Sequence, residues 1–285
     1  MFWNVLINEN TKIIKRRLFW VEIALVGLIV MGILVALYIT IGAARDGIGM
    51  PSEERLMLLE MITWPEALLN VLRFAGWDGF GPLFLIVLVG AVTAQEYTWR
   101  TLHIWLARGV SRPLLATAKL TTFLISAVTI VLVVLLVGSL VTALTSMKIN
   151  GSLQLGKLDL QLLFFSVLRT IFTLLPFGAL AFLLAVASRS AVVAISGGLA
   201  YTLLLEPLII QTIGLLGERW AKLGYYLPGS LAESLLSLNN AAIATGRPPG
   251  IGYVSPFIAA IGIGAWTLFF AGLSLWIFQR QDFTD

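Results

Sequence analysis

Glu96, Arg100, Arg108, Arg112 and Lys119 crowd one amphipathic segment, Gln95 to Lys119, while Arg169 and Glu206 stand inside long apolar runs. The chemistry open to these residues is electrostatic. In the first group it is the docking of a partner or of lipid headgroups; in the second it is the holding of a helix or contact with a solute. The remaining inventory closes other routes. The chain has no cysteine and a single histidine, His103, which excludes disulfides, thiolate metal sites and His-cluster metalloenzymes. Glu53 and Glu54 are paired acids, but the one histidine falls on the other side of the membrane and completes no proteolytic site. No G-x-x-x-x-G-K-[ST] loop occurs, so the chain does not cradle a nucleotide by that route. We therefore expect no catalytic residue, no metal and no enzyme.

These residues must be positioned by membrane-spanning helices. The chain is 59% hydrophobic and 12% charged, with mean hydropathy +0.94, against about 45–50% apolar and about 25% charged in soluble domains. A span takes about 20 apolar residues, and six stretches qualify: about 21–42, 79–94, 120–145, 162–187, 191–210 and 256–278. An all-α integral membrane protein with a single domain over 1–285 follows. Phe2 to Ile14 reads as a helix lying in the interface ahead of the first span. Lys15, Arg16 and Arg17 then place the N-terminus in the cytoplasm, and six spans return the C-terminus to that side. With no soluble basic surface, the net charge of +4 reports topology and membrane lipid rather than nucleic acid.

Between the spans, a helix is expected from Ser52 to Leu59, Asn150-Gly151 reads as a turn, and Ser188 to Ser190 is a tight turn joining spans four and five. Leu208 to Leu216 and Leu227 to Leu238 are too short to cross and read as surface or re-entrant helices on the outer side. Arg169 and Glu206 lie at similar distances from Arg189, and about 1.5 Å per residue puts them within roughly 5 Å of one depth. They are expected to pair across the hairpin of spans four and five. Contact with substrate, or a break in span five at Glu206-Pro207, is the other reading. Ala194 and Gly198 have the small-xxx-small spacing of close helix packing, and Pro176 is expected to kink span four.

In the segment after span two, Tyr97, Thr101, Ile104 and Trp105 share one helical face, with Leu102 and Leu106 beside it. Glu96, Arg100, His103 and Arg108 spread around the other. Gly109 suits a left-handed cap, and Ser111, Arg112 and Pro113 suit a fresh helix start. A surface helix whose bases touch lipid headgroups satisfies this pattern.

The series Glu96, Thr101-Leu102, Val110-Ser111-Arg112 and Lys119 resembles the permease subunits of type-2 ATP-binding-cassette (ABC) exporters. So do the N-terminal helix, the six spans, the tight turn between spans four and five and the short helices between spans five and six; the resemblance covers nearly the whole chain. It departs at Trp99-Arg100, where many members carry a small residue before the threonine. The resemblance implies that the segment bearing Glu96, Tyr97, Arg100, Thr101, Leu102, Trp105, Arg108, Val110, Ser111 and Arg112 is a coupling helix seated in a cytoplasmic ABC ATPase. Two ATPase copies would carry the ATP and Mg, this chain would bind no cofactor, and a second permease, as a homodimer, would complete the path. A hydrophobic or amphiphilic substrate exported across the plasma membrane is the expectation. A membrane scaffold or immunity protein, or a secondary transporter, is the alternative.

Overall fold

A computed structural model describes residues 2–46, 58–99, 101–107, 109–153, 158–239 and 254–281. They form helices α1 (Phe2–Ile14), α2 (Arg17–Asp46), α3 (Glu66–Ala75), α4 (Gly81–Thr98), α5 (Thr101–Ala107), α6 (Arg112–Asn150), α7 (Leu160–Ser188), α8 (Ala191–Leu215), α9 (Glu218–Gly224), α10 (Pro228–Leu236) and α11 (Pro256–Arg280). No strand occurs among the described residues. Six of the helices, α2, α4, α6, α7, α8 and α11, are long and apolar enough to cross a membrane, so the chain is a multi-pass membrane protein.

Helices α4 and α7 stand at the centre and pack on each other, on α8 and on α6; α2 leans on α6, and α11 on α7. Small residues set the closest approach. A Cβ on Gly198 would meet Ile86 Cγ2 at 2.6 Å, and one on Gly90 would meet Ala194 Cβ at 3.3 Å. The small residues of span five therefore pack against span two of the same chain. The turn after α7 closes with Arg189 in the left-handed region at φ 54°, and Gly151 caps α6 at φ 70°, as the turn residues in the sequence indicate.

Several boundaries differ from the sequence reading. Span two runs on to Thr98, so Gln95 and Glu96 belong to it rather than to a surface helix. Span three starts at Arg112 and continues to Asn150, 39 residues, which at about 1.5 Å each is roughly 58 Å and exceeds the apolar core of a bilayer. Its far half carries α3: a Cβ on Gly138 would meet Val71, Trp64 Nε1 donates to Thr142 Oγ1 at 2.9 Å, and Thr145 Oγ1 donates to the Ile62 carbonyl at 2.8 Å. Span five does not stop at Ile210. A π turn over Tyr201–Leu205 leads into Glu206–Leu215, so the piece expected as a separate short helix from Leu208 is the end of this span. The second expected short helix is α10. Pro176 lies inside α7, which is continuous through it. The helix expected from Ser52 falls mostly outside the described residues, with 58–62 helical.

Candidate functional site

One end of the bundle gathers the end of α1, the C-termini of α4, α7 and α11, and the starts of α6 and α8. It is held by a closed ring of four charged side chains. On α1, Val5, Leu6 and Ile13 are buried and Glu9 lies on the same face, 3% exposed. Glu96 ends the buried face of α4 at 1% exposure, and Lys119 sits at 2% on the buried stripe of α6 with Leu115, Ala116 and Phe123.

Lys119 Nζ lies 2.5 Å from Glu96 Oε2 and 2.7 Å from Glu9 Oε2; Lys12 Nζ lies 2.6 Å from Glu9 Oε1 and 3.4 Å from Glu96 Oε1. Two carboxylates and two ammonium groups alternate, and their charges cancel. Such compensation is what allows charges out of water, because an unpaired buried ion carries a penalty of several kcal/mol. Burial raises the Glu9 carboxyl, but the Lys119 and Lys12 ammonium groups outweigh it and bring it below its ordinary value. Beside the ring, burial lowers the Arg16 guanidinium while Glu96 and Glu9 oppose the shift; Arg16 Nη1 donates to Gln95 Oε1 at 2.5 Å.

A second set of bonds ties the ring to spans four and six. The Tyr97 hydroxyl donates to Gln281 Oε1 at 2.9 Å, and Gln281 Nε2 donates to the Val186 carbonyl at 2.6 Å. Arg112 Nη1 donates to the carbonyls of Gln279 and Gln281 at 2.6 and 2.8 Å. Spans two, three, four and six are thus joined at this end through Tyr97, Arg112 and Gln281.

The seven-residue helix α5 lies against this assembly. Leu102 is 2% exposed and enters the main core with Val110, and half-buried Trp105 faces Lys12, whose Nζ is 5.0 Å from the ring centroid. Thr101 Oγ1 donates to the Glu96 carbonyl at 3.5 Å. Gly109 has φ 78°, the left-handed stop expected of it, and Ser111 is extended ahead of Arg112 and Pro113. Trp99, 60% exposed, stacks under Arg16, while Ala107 and Ser111 face outward. The Gln95 to Lys119 segment is therefore three pieces rather than one amphipathic helix. Its buried charges, Glu96 and Lys119, are held by each other and by α1. Arg100 and Arg108 lie outside the described residues.

The pair expected between Arg169 and Glu206 does not form. Arg169 Nη1 donates to Asn239 Oδ1 at 2.6 Å, and Glu206 Oε1 accepts from the Gly229 N–H at 2.5 Å. Equal spacing from Arg189 carries no azimuth, and a π turn over Tyr201–Leu205 intervenes before Glu206. Ala194 and Gly198 pack as expected, and no group of three His, Cys, Asp or Glu that could hold a metal comes together among the described residues.

Sequence reasoning missed Glu9, Lys12, Gln95 and Gln281, and it set Lys119 in the amphipathic segment and the motif without naming the carboxylates that hold it. A signal was present for Glu9: it shares the i, i+3, i+4 stripe of Val5, Leu6 and Ile13. Gln281 had none, since it follows the last span in an unpatterned tail.

Residues 50–284 match the profile of a family described as a protein of unknown function (DUF2705). No curated protein matches the chain.

Proposed function

The chain belongs to the DUF2705 family, and within that family we propose that it is the permease subunit of an ABC exporter, driven by ATP that a separate cytoplasmic ATPase hydrolyses. The observation that carries this reading is the way α5 is mounted. Leu102 plugs it into the core, Trp105 rests on Lys12, and Lys12 belongs to the ring that also holds α1, α4 and α6. A push on α5 is delivered through the ring to the ends of spans two and three, and through Tyr97, Arg112 and Gln281 to spans four and six. A merely lipid-bound helix needs no such mounting.

The same end carries Lys12, Arg16, Arg112, Arg189 and Arg280, the bias expected of a cytoplasmic face in the plasma membrane. In that orientation α1 lies in the inner interface, with Trp3, Ile7 and Ile14 exposed toward lipid. Two permeases and two ATPases form the working unit, and a hydrophobic or amphiphilic cargo passes between the permeases as nucleotide shifts the balance of two states.

The test is purification of the chain from its native membrane in mild detergent, followed by an ATPase assay of the eluate. Ala107 is exposed on α5 and touches none of the ring, so Ala107→Arg perturbs docking and leaves the fold in place. The proposal expects ATPase activity with the natural chain and its loss with Ala107→Arg. A monodisperse eluate without ATPase in both preparations would leave a scaffold or a secondary transporter as the better reading.

A further inference from the structure

Among the described residues the buried positions of α2 are Phe19, Glu22, Val26, Val30, Leu34 and Ile41, one stripe at helical spacing in which a single member is not apolar. Glu22 is 7% exposed and lies one and a half turns past Arg17, about 7.5 Å into span one. At this level α2 packs on α1 and α4 through Ile13, Phe19, Leu88 and Val92, with Ile23 against them. Farther along, Gly27 faces Val137 of α6. Neither carboxylate oxygen of Glu22 has a hydrogen-bond partner among the described residues, and the buried hydroxyl of Thr93, next to Val92 on α4, has none either.

The charged groups of the elements packed on α2 are engaged elsewhere or face outward. On α1 and the turn after it, Glu9 and Lys12 belong to the ring, Arg16 bonds Gln95, and Lys15 is exposed. Glu96 of α4 and Lys119 of α6 close the ring, Arg112 bonds the end of α11, and Lys148 lies over Tyr38 near the far end of α6. Arg17 of α2 itself is exposed. The ring shows what a buried carboxylate takes in this molecule, since two ammonium groups answer two carboxylates. Glu22 has no such answer among the described residues. An ion without counter-charge in apolar surroundings is so costly that the group takes up a proton instead. A neutral carboxyl fits the stripe much as a glutamine would.

We infer that Glu22 is a proton-binding site in the inner half of span one: its carboxyl holds a proton while α2 rests on α1 and α4, and releases it only when that contact parts and water enters. The ligand is a proton rather than a metal ion, because no group of three His, Cys, Asp or Glu gathers among the described residues. The inference goes beyond the permease reading and is independent of it, because the packing of α2 on α4 needs no ATPase.

The first test is an infrared difference spectrum, natural chain minus Glu22→Gln, recorded in detergent at neutral pH. It should hold the C=O stretch of one un-ionised carboxyl, displaced on transfer to heavy water. Carboxylate stretches in its place would overturn the site. Labelling of the natural chain with dicyclohexylcarbodiimide is a check that needs no variant. The carboxyl proton passes to a carbodiimide nitrogen, the carboxyl oxygen bonds the central carbon, and the adduct rearranges to an N-acylurea with no group lost. Glu22 should react about tenfold faster than the lysine-held Glu9 and Glu96; equal or slower reaction would overturn the site as well. The link to the contact is read with thiols, since the natural chain has no cysteine. Val92→Cys and, as a control, Ser126→Cys are each 3% exposed positions, on α4 and α6. Raising the pH until the neutral carboxyl band is lost should increase maleimide labelling of Val92→Cys relative to Ser126→Cys about tenfold, and leave the ratio unchanged in the Glu22→Gln background. Loss of the band with no change in that ratio would overturn the coupling of the proton to the contact.

Discussion

Lys119, one of the largest fully buried side chains among the described residues, survives in its helix because two carboxylates from two other helices meet it. Breaking such a group from one side is expected to be worse than removing it. Lys119→Met leaves Glu9 and Glu96 with Lys12 as the one cation of the ring, so one buried negative charge is uncompensated, and should destabilise by about 3–5 kcal/mol. Replacing Glu9, Glu96 and Lys119 at once with apolar residues of similar volume should lose less than that single change, as read from thermal unfolding in detergent. Acid should act on the same ring. Because the folded Glu9 carboxyl lies below its ordinary value of 4.5, its contribution is complete above that pH and is lost as pH falls through the lowered folded value. Docking of α1 should therefore weaken below about pH 4.5, measurable as faster amide exchange over Phe2–Ile14 while the spans stay protected. At this scale the sequence was half legible. Glu96 announced itself as a charge ending an apolar run, whereas Glu9 looked solvated because its polar neighbours Asn8, Asn10 and Lys12 masked the apolar stripe it shares.

Helices α4 and α8 touch through small residues, and that contact can be tested by swapping bulk across it. Gly198→Ala drives a Cβ against Ile86, an overpacking expected to destabilise by about 1–3 kcal/mol. Adding Ile86→Ala should recover part of the loss, and the coupling between the two changes, obtained from a double-mutant cycle of melting midpoints, should be clearly nonzero. Independent additivity would mean that the contact does not set the approach of these helices. The existence and order of the six spans were readable from hydropathy alone, because lipid demands long apolar runs. The extent of span five was not. Proline at 207 lacks the N–H an α-helix would use and would crowd the carbonyl four residues back, yet the wider turn at Tyr201–Leu205 lets the helix continue through it. Hydropathy also has no means of showing that α6 outruns the bilayer, since the turns beyond its apolar run carry Arg112 and Lys119 at one end and Lys148 and Asn150 at the other, and are held by contacts to Glu9 and to the Ile62 carbonyl rather than by lipid.

Among the described residues the charged contacts between helices gather toward the two ends of the bundle. At one end the ring, Tyr97, Arg112 and Gln281 join five helices; at the other, Glu206 bonds the start of α10 and Arg169 bonds Asn239 just past its end. Helices joined in this way beneath α5 are what the proposed permease, worked by a partner, would require. The most direct test of that central claim is photocrosslinking in the native membrane from a benzophenone amino acid placed at Ala107 of α5. The permease reading predicts one dominant adduct, to a chain that binds ATP, that disappears when the probe is moved to lipid-facing Leu28 of α2. Equal crosslinking of lipid alone from both positions would contradict it and leave α5 a surface helix of the bundle.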